Sequence, residues 1–357
     1  MHCKNDKFPS APEAVLEEKK QFIDLKWRKE KSVDISEMTD SAFLHITPGN
    51  LYVFGYSLKQ SDRQLLKKYN TDLDLCFEKI FTTGEGPGDL GGGSYFFFFG
   101  DKLYVPDNTQ RRINIFDKEL NFIKFIKTSA AFLSPTFIKD GSFFIAYRAE
   151  EDDNRRVSFH LDLVSFPGLD IKRIHTIGPS VTYDHNKKFI VGAIPEFHYF
   201  YKNEKIYLIN MMSYQIMMFD LSGKMLKQIR VDVEKKTVPS EKKMEWLNEQ
   251  SRLKDRVTLT DIIQPAGWMA PLGKGFVVIR RHTYNTACEG LVEGDYFDYD
   301  LHLLGKVQFP CFYRIYYLLR ANFPRSVAYE NGYVYIINQD LKEVDEDINL
   351  EKWSVTE

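Results

Sequence analysis

Little in this chain points to a cofactor, a metal or a membrane. Its four cysteines, Cys3, Cys76, Cys288 and Cys311, lie far apart, with no C-x-x-C pair and no Cys/His cluster at zinc-ligand spacing. That spacing argues against a disulfide framework and against a structural zinc site. No run reaches the roughly 18 apolar residues that a membrane-spanning helix requires. The formal net charge is only -2 and the charges are interspersed, so neither a basic face nor a charged block marks a nucleic-acid partner. Helical periodicity is scarce. The composition therefore implies no cofactor, no metal and no nucleic acid, and it leaves β structure to carry the fold.

What is abundant is aromatic residues, 15% of the chain with 28 Phe and 20 Tyr, which suit strands buried between neighbouring sheets. Short Tyr/Val/Ile runs recur: LYVF (51–54), LYVP (103–106), FFIAY (143–147), IYLIN (206–210), FVVIR (276–280) and VYIIN (334–338). Most are followed by a second run that ends in an aromatic before a turn, as in INIFDKEL (113–120) and IMMFDLSGK (216–224). Asp-Lys, Pro-Gly and Ser-Gly at those points are turn chemistry for antiparallel hairpins. A third strand follows the turn, and a further strand precedes each Tyr/Val run, as in SYFFFFG (94–100), EFHYFYK (196–202) and SVAYE (326–330). Four strands, six times over, predict an all-β, six-bladed propeller of four-stranded antiparallel blades.

The unit from Thr82 to Lys127 is the best preserved, and it carries a resemblance. GEGPGDL, then GDKLYVPDNTQRRINIFDKELNFIKFI, resembles an NHL-type repeat, with its Gly-Pro-Gly loop, its LYV strand and its nRI-x-vFd strand. The chain as a whole is similar to the six-bladed, TolB-like propeller lipoproteins of Bacteroides-type bacteria. The second blade matches closely, and the others keep only the hydrophobic rhythm. The resemblance implies a fold and an envelope location rather than an activity.

The last unit is too short to complete a blade. An unpaired edge is a liability, so QFIDLKW (21–27), KSVDISEM (31–38) or both are expected to supply the missing outer strand and tie the termini together. Residues 1–20 read as a tail or linker and 21–357 as one propeller domain. PEAVLEEKKQF (12–22) allows an N-terminal helix as a weaker alternative. In SEKKMEWLNEQSRLKD, Met244, Leu247 and Leu253 fall near helical spacing, which predicts a short helical insertion after blade four, about 238–256. Cys3 before KNDK is how a bacterial lipoprotein begins after its acylated cysteine, although the chain as written shows no apolar h-region. On that pattern Cys3 is a lipid anchor and the protein is periplasmic or anchored in the outer membrane. Otherwise Cys3 is a free thiol in a tail.

In a blade whose innermost strand comes first, every connection can be assigned to a face of the ring. All the long ones fall on the same face, and long loops on a rigid scaffold are where binding resides. Arg111, Arg148, His198, Tyr214, Arg280, Arg281 and His282 are the ligand-binding candidates there; paired guanidiniums suit a carboxylate or a sugar acid. GEGPGD offers successive N–H groups to an anion, but no G-K-[ST] follows, and closing blade one onto blade two explains it better. Asp107 and Arg112 sit at repeat positions that stitch a blade's own turns. EEDDN (150–154) lacks the alternating spacing of a calcium loop. Three functions remain open: a non-catalytic binding propeller of the cell envelope that recognises a polypeptide or a glycan, a lyase or hydrolase with its site at the channel mouth, and a structural component of an envelope complex.

Overall fold

The computed structural model describes residues 13–17, 21–38, 42–57, 63–91, 96–130, 132–138, 141–151, 157–181, 189–191, 197–211, 213–233, 241, 257–259, 266–280, 291–310, 327–340 and 347–356. These form six blades of four antiparallel strands each, two of them extended by a fifth, parallel strand, plus one two-stranded sheet. Blade one holds Phe43–Thr47, Asn50–Tyr56, Gln64–Asn70 and Leu75–Phe81; blade two begins at Phe97–Phe99 and ends at Phe122–Lys127. The first strands of the blades lie beside one another around the axis. The expected helical insertion at 238–256 falls outside the described residues, apart from Glu241.

The core is not a single central mass. Among the described residues the buried apolar side chains separate into six clusters, each lying in one seam between neighbouring blades. Residues of one parity on a strand face the preceding blade and those of the other parity face the next. Leu51 and Val53 pack toward blade six, whereas Tyr52 and Phe54 pack toward blade two. A strand buried on both faces must be apolar at nearly every position, which is why LYVF and LYVP read as continuous runs rather than alternating ones.

A repeated turn sets the register. Between the third and fourth strands, Asn70, Asp117, Ser165, Asp220 and Asp298 each accept a backbone N–H from Asp74, Asn121, Asp170, Lys224 and His302 respectively, at 2.7–3.0 Å. The residue before that N–H is left-handed: Leu73, Leu120, Leu169, Gly223 and Leu301 have φ of 59°, 63°, 62°, 80° and 62°. A left-handed leucine costs about 1–2 kcal/mol. Leu73, Leu120 and Leu301 are nonetheless buried in the seams, and burying a leucine yields about 1.5–3 kcal/mol, so packing outweighs the strain. In blade five the Asp298 side chain sets this turn at 298–302, directly before the strand Leu303–Pro310.

The N-terminal segment closes the ring and goes further than closure requires. Strand β1 (Glu13–Leu16) adds in parallel to the outer strand of blade four, and β2 (Phe22–Ile23) adds in parallel to that of blade five. Strand β3 (Lys26–Asp34) is itself the outer strand of blade six, antiparallel to Asp347–Thr356. One extended segment thus belts three successive blades. Glu13 anchors its start, receiving Arg230 Nε at 3.2 Å and Gln228 Nε2 at 3.1 Å, and the Trp27 indole donates to Gln308 O at 3.0 Å. Gly305 makes room for the belt, since a Cβ there would stand 2.9 Å from Gln21 O and 3.1 Å from Ile23 Cγ1.

Candidate functional site

Call the two ends of the ring lower and upper. On the lower face no connection exceeds five residues, and Asn203 and Glu204, both left-handed, form one of its two-residue hairpin turns. On the upper face the chain leaves and re-enters through 82–96, 182–196, 232–265, 281–290 and 311–326. Two of these connections are tied together: Phe189–Val191 pairs in parallel with Val257–Leu259, joining the segment before blade four to the segment after it.

The glycine-rich loop on this face is built around a cation and not around an anion. The Arg112 guanidinium donates to Glu85 O at 3.0 Å, Gly86 O at 3.2 Å and Asp89 O at 2.8 Å. The loop's N–H groups are also occupied: Gly86 N and Gly91 N donate to the carboxylates of Asp89 and Asp107 at 3.0 and 2.7 Å, and Leu90 N donates to Thr82 O at 2.9 Å. Cβ atoms on Gly84 and Gly86 would lie 2.6 and 2.7 Å from Asp89 Oδ2, so a side chain at either position would displace the Asp89 carboxylate. Gln64 of blade one donates to Gly91 O at 2.8 Å, which completes a polar seam between blades one and two. Arg112→Ala is expected to lower stability by about 2–4 kcal/mol, because three carbonyls lose their donor and Asp107 is left buried. Urea denaturation measures this, and Arg112→Lys should recover only part, since an ammonium lacks the planar fork.

Three residues before each of the five turn residues, the third strand carries Lys67, Asn114, Asp162, Met217 and Asp295 in blades one to five, and Glu351 holds the matching register position in blade six. All six are buried, and five of them are polar. Each polar one is met in its seam: Lys67 by Glu37, Asn114 by Asp89 O, Asp162 by Arg148, Asp295 by Arg280, and Glu351 by Lys29 and Trp353.

This register explains the arginines singled out in the sequence. In blade three, Arg148 Nε donates to Asp162 Oδ2 at 2.6 Å, and the same guanidinium meets Glu150. Glu150 also takes Arg173 at 2.7 Å and His160 Nε2 at 3.0 Å, while His160 Nδ1 lies 3.3 Å from Thr176 Oγ1. Burial, and then the Arg173 charge, hold the His160 imidazole below its ordinary range. In blade five, Arg280 clasps Asp295 through Nε at 2.7 Å and Nη2 at 2.9 Å, and the Tyr214 hydroxyl of blade four donates to the same carboxylate. Burial first, and the Asp295 charge second, push the Tyr214 phenol far above its usual range.

Arg148, Tyr214 and Arg280 are therefore placed in seams, each bound to a buried aspartate. His198 lies in the seam between blades four and five, its Nδ1 accepting Met269 N at 3.0 Å. Arg111 is exposed, in a turn that recurs in blade four. Asp107 and Asn210 cap the two copies by accepting Gln110 N at 3.1 Å and Ser213 N at 3.2 Å, and the left-handed fifth residues are Arg111 and Tyr214. The same position thus points to solvent in one blade and across a seam in another. Arg281, His282 and Cys3 lie outside the described residues. Asp162, Asp295, Glu351 and Lys67 escaped the sequence reading, although for Lys67, Asp162 and Asp295 the fixed offset from the turn residue was a usable signal. Among the described residues no group of three His, Cys, Asp or Glu side chains is arranged to hold a metal ion.

Six antiparallel blades closed by an N-terminal strand define a six-bladed β-propeller. No protein-family model matches the chain, and no curated protein matches it in sequence. Solved structures match in fold. A candidate exported protein of Bacteroides fragilis is similar over 97% of this chain and 100% of its own, at 9% identity and a TM-score of 0.55. A member of the DUF4221 family from Bacteroides vulgatus is similar over 93% of this chain and 98% of its own, at 13% identity and a TM-score of 0.56. At such identities the likeness is one of fold alone.

Proposed function

We propose that this protein is a non-catalytic binding propeller of the bacterial cell envelope, related to the NHL/TolB-like lipoproteins, that recognises a polypeptide or a glycan through its upper face. The observation that carries this is the asymmetry of the ring: no lower connection exceeds five residues, while every long connection, 232–265 above all, enters from the upper side. Rigid strands with long connections gathered at one end are the usual arrangement of a recognition surface. Arg111, exposed there, is joined by Arg281 and His282 of connection 281–290 as the polar contacts for an acidic group on the ligand. The exported neighbour in Bacteroides supports an extracytoplasmic location, and in this reading Cys3, which precedes the polar KNDK, is the lipid anchor. Among the described residues no helix is long and apolar enough to cross a membrane.

Glycan and peptide arrays probed with the full chain test the assignment. Bound ligands are expected to lose about tenfold in affinity, or more, in the Arg111→Glu, Arg281→Glu double variant, and to be unaffected by Lys274→Glu on the lower face. Failure to bind either array, or sensitivity only to the lower-face change, overturns it.

A further inference from the structure

The belt formed by the N-terminal segment covers only half of the ring. On blades four and five the outer strand is extended by β1 and β2, and on blade six β3 is the outer strand itself. The belt ends where Lys31 of β3 meets Asp74 at 2.7 Å, immediately before the outer strand of blade one. From there round to blade three, the outer strands Leu75–Phe81, Phe122–Lys127 and Ile171–Val181 have no strand beyond them among the described residues.

The open edge of blade one is apolar where an open edge is normally defended. Leu75 is 52% exposed, Phe77 38% and Ile80 43%, and on the adjoining rim of blade two Ile123 is 45% exposed and Phe125 41%. Natural edges are blunted with lysine, proline or inward charge. Blade three follows that rule with Lys172, Arg173 and Pro179. LCFEKIF in blade one has one adjacent Glu-Lys pair and no proline.

We propose that the outer edge of blade one, Leu75–Phe81, is a strand-addition site that takes an extended segment of another protein, with alternating apolar side chains, as a fifth strand. The ring already binds extended polypeptide in this manner twice, in parallel, with Asp232 N donating to Leu16 O at 3.0 Å and Lys306 N to Gln21 O at 2.9 Å. Main-chain groups of the edge supply affinity, and the exposed Leu75, Phe77 and Ile80 supply apolar contact for side chains of the ligand. A second copy fits less well. Two-fold antiparallel pairing over the full strand sets Glu78 against its own symmetry mate, and like charges directly opposite are destabilising. This edge lies on the outer rim, away from the upper face, so the two sites are independent.

The test pans a phage-displayed library of short random peptides on the full chain and measures the selected peptides by fluorescence anisotropy. Peptides that alternate apolar and polar residues are expected, losing about tenfold in affinity or more in Phe77→Lys and in Ile80→Lys. Leu304→Lys, on belted blade five, should leave binding intact. All three side chains are exposed, so the variants are expected to melt like the parent protein. Slowed amide exchange within 75–81 on peptide addition would place the ligand on the edge. Three results overturn the proposal: no peptide is selected, the selected peptides bind Phe77→Lys as well as the parent, or the chain sediments as a dimer that Phe77→Lys dissociates.

Discussion

Asp295→Ala is expected to cost about 3–5 kcal/mol, because it leaves the Arg280 guanidinium buried with its bidentate partner gone and strands the Tyr214 hydroxyl in the same seam. Removing one member of a buried pair is far more damaging than removing the whole set. The change should therefore depress the melting temperature by about 10 °C, on the scale of 2–4 °C per kcal/mol for large domains. Tyr214→Phe removes one hydrogen bond and leaves the ion pair, so a loss of about 1–2 kcal/mol is expected. The apolar triple variant Arg280→Met, Asp295→Leu, Tyr214→Phe should regain most of the stability lost by Asp295→Ala. Calorimetry on the four proteins decides the matter. If Asp295→Ala melts within a degree or two of the parent, the seam does not hold the charge that its geometry requires.

Removal of the belt is expected to have the second large effect, and to have it in two distinct steps. Deleting residues 1–17 takes away β1, whose side chains are mostly exposed, and the ring should still unfold cooperatively at a slightly lower urea midpoint. Deleting residues 1–34 takes away the outer strand of blade six and bares the edge of Asp347–Thr356, including the shield over Ile348 and Leu350, which pack with Val33 in the seam with blade one. A propeller whose last blade is unpaired has lost both an apolar face and its ring closure. The longer deletion should therefore abolish the cooperative transition. A longer deletion that unfolds at the parent's midpoint would show that closure by β3 contributes nothing to stability.

The blade count was legible because its signals are local. LYVP at 103–106, the turn at Asp117 and FIKFIK at 122–127 lie within one hairpin meander, and strand period and turn residues are set by neighbours a few positions apart. The same locality revealed which connections are long, and hence which end of the ring is elaborated. Ring closure was also readable, since a final unit lacking its outer strand has few places to obtain one. The course of the belt was not. Nothing in EAVL or in Phe22–Ile23 separates an added parallel strand from a tail, because edge strands with exposed side chains carry no burial pattern.

The candidate site divides along the same line. The sequence displayed Arg148 and Arg280 as charges at strand ends and Tyr214 as an aromatic in a turn, yet it could not display their partners. Asp162 and Asp295 lie on the next strand of the same blade, and Tyr214 reaches Asp295 from the preceding blade. By itself, then, the sequence determined an all-β ring of six blades and its elaborated face, through periodicity and turn chemistry that act over a few residues. Only the tertiary structure decided which polar side chains are consumed inside the seams, and which blade edges the N-terminal segment covers and which stay open. Those outcomes depend on contacts between residues that the chain alone keeps far apart.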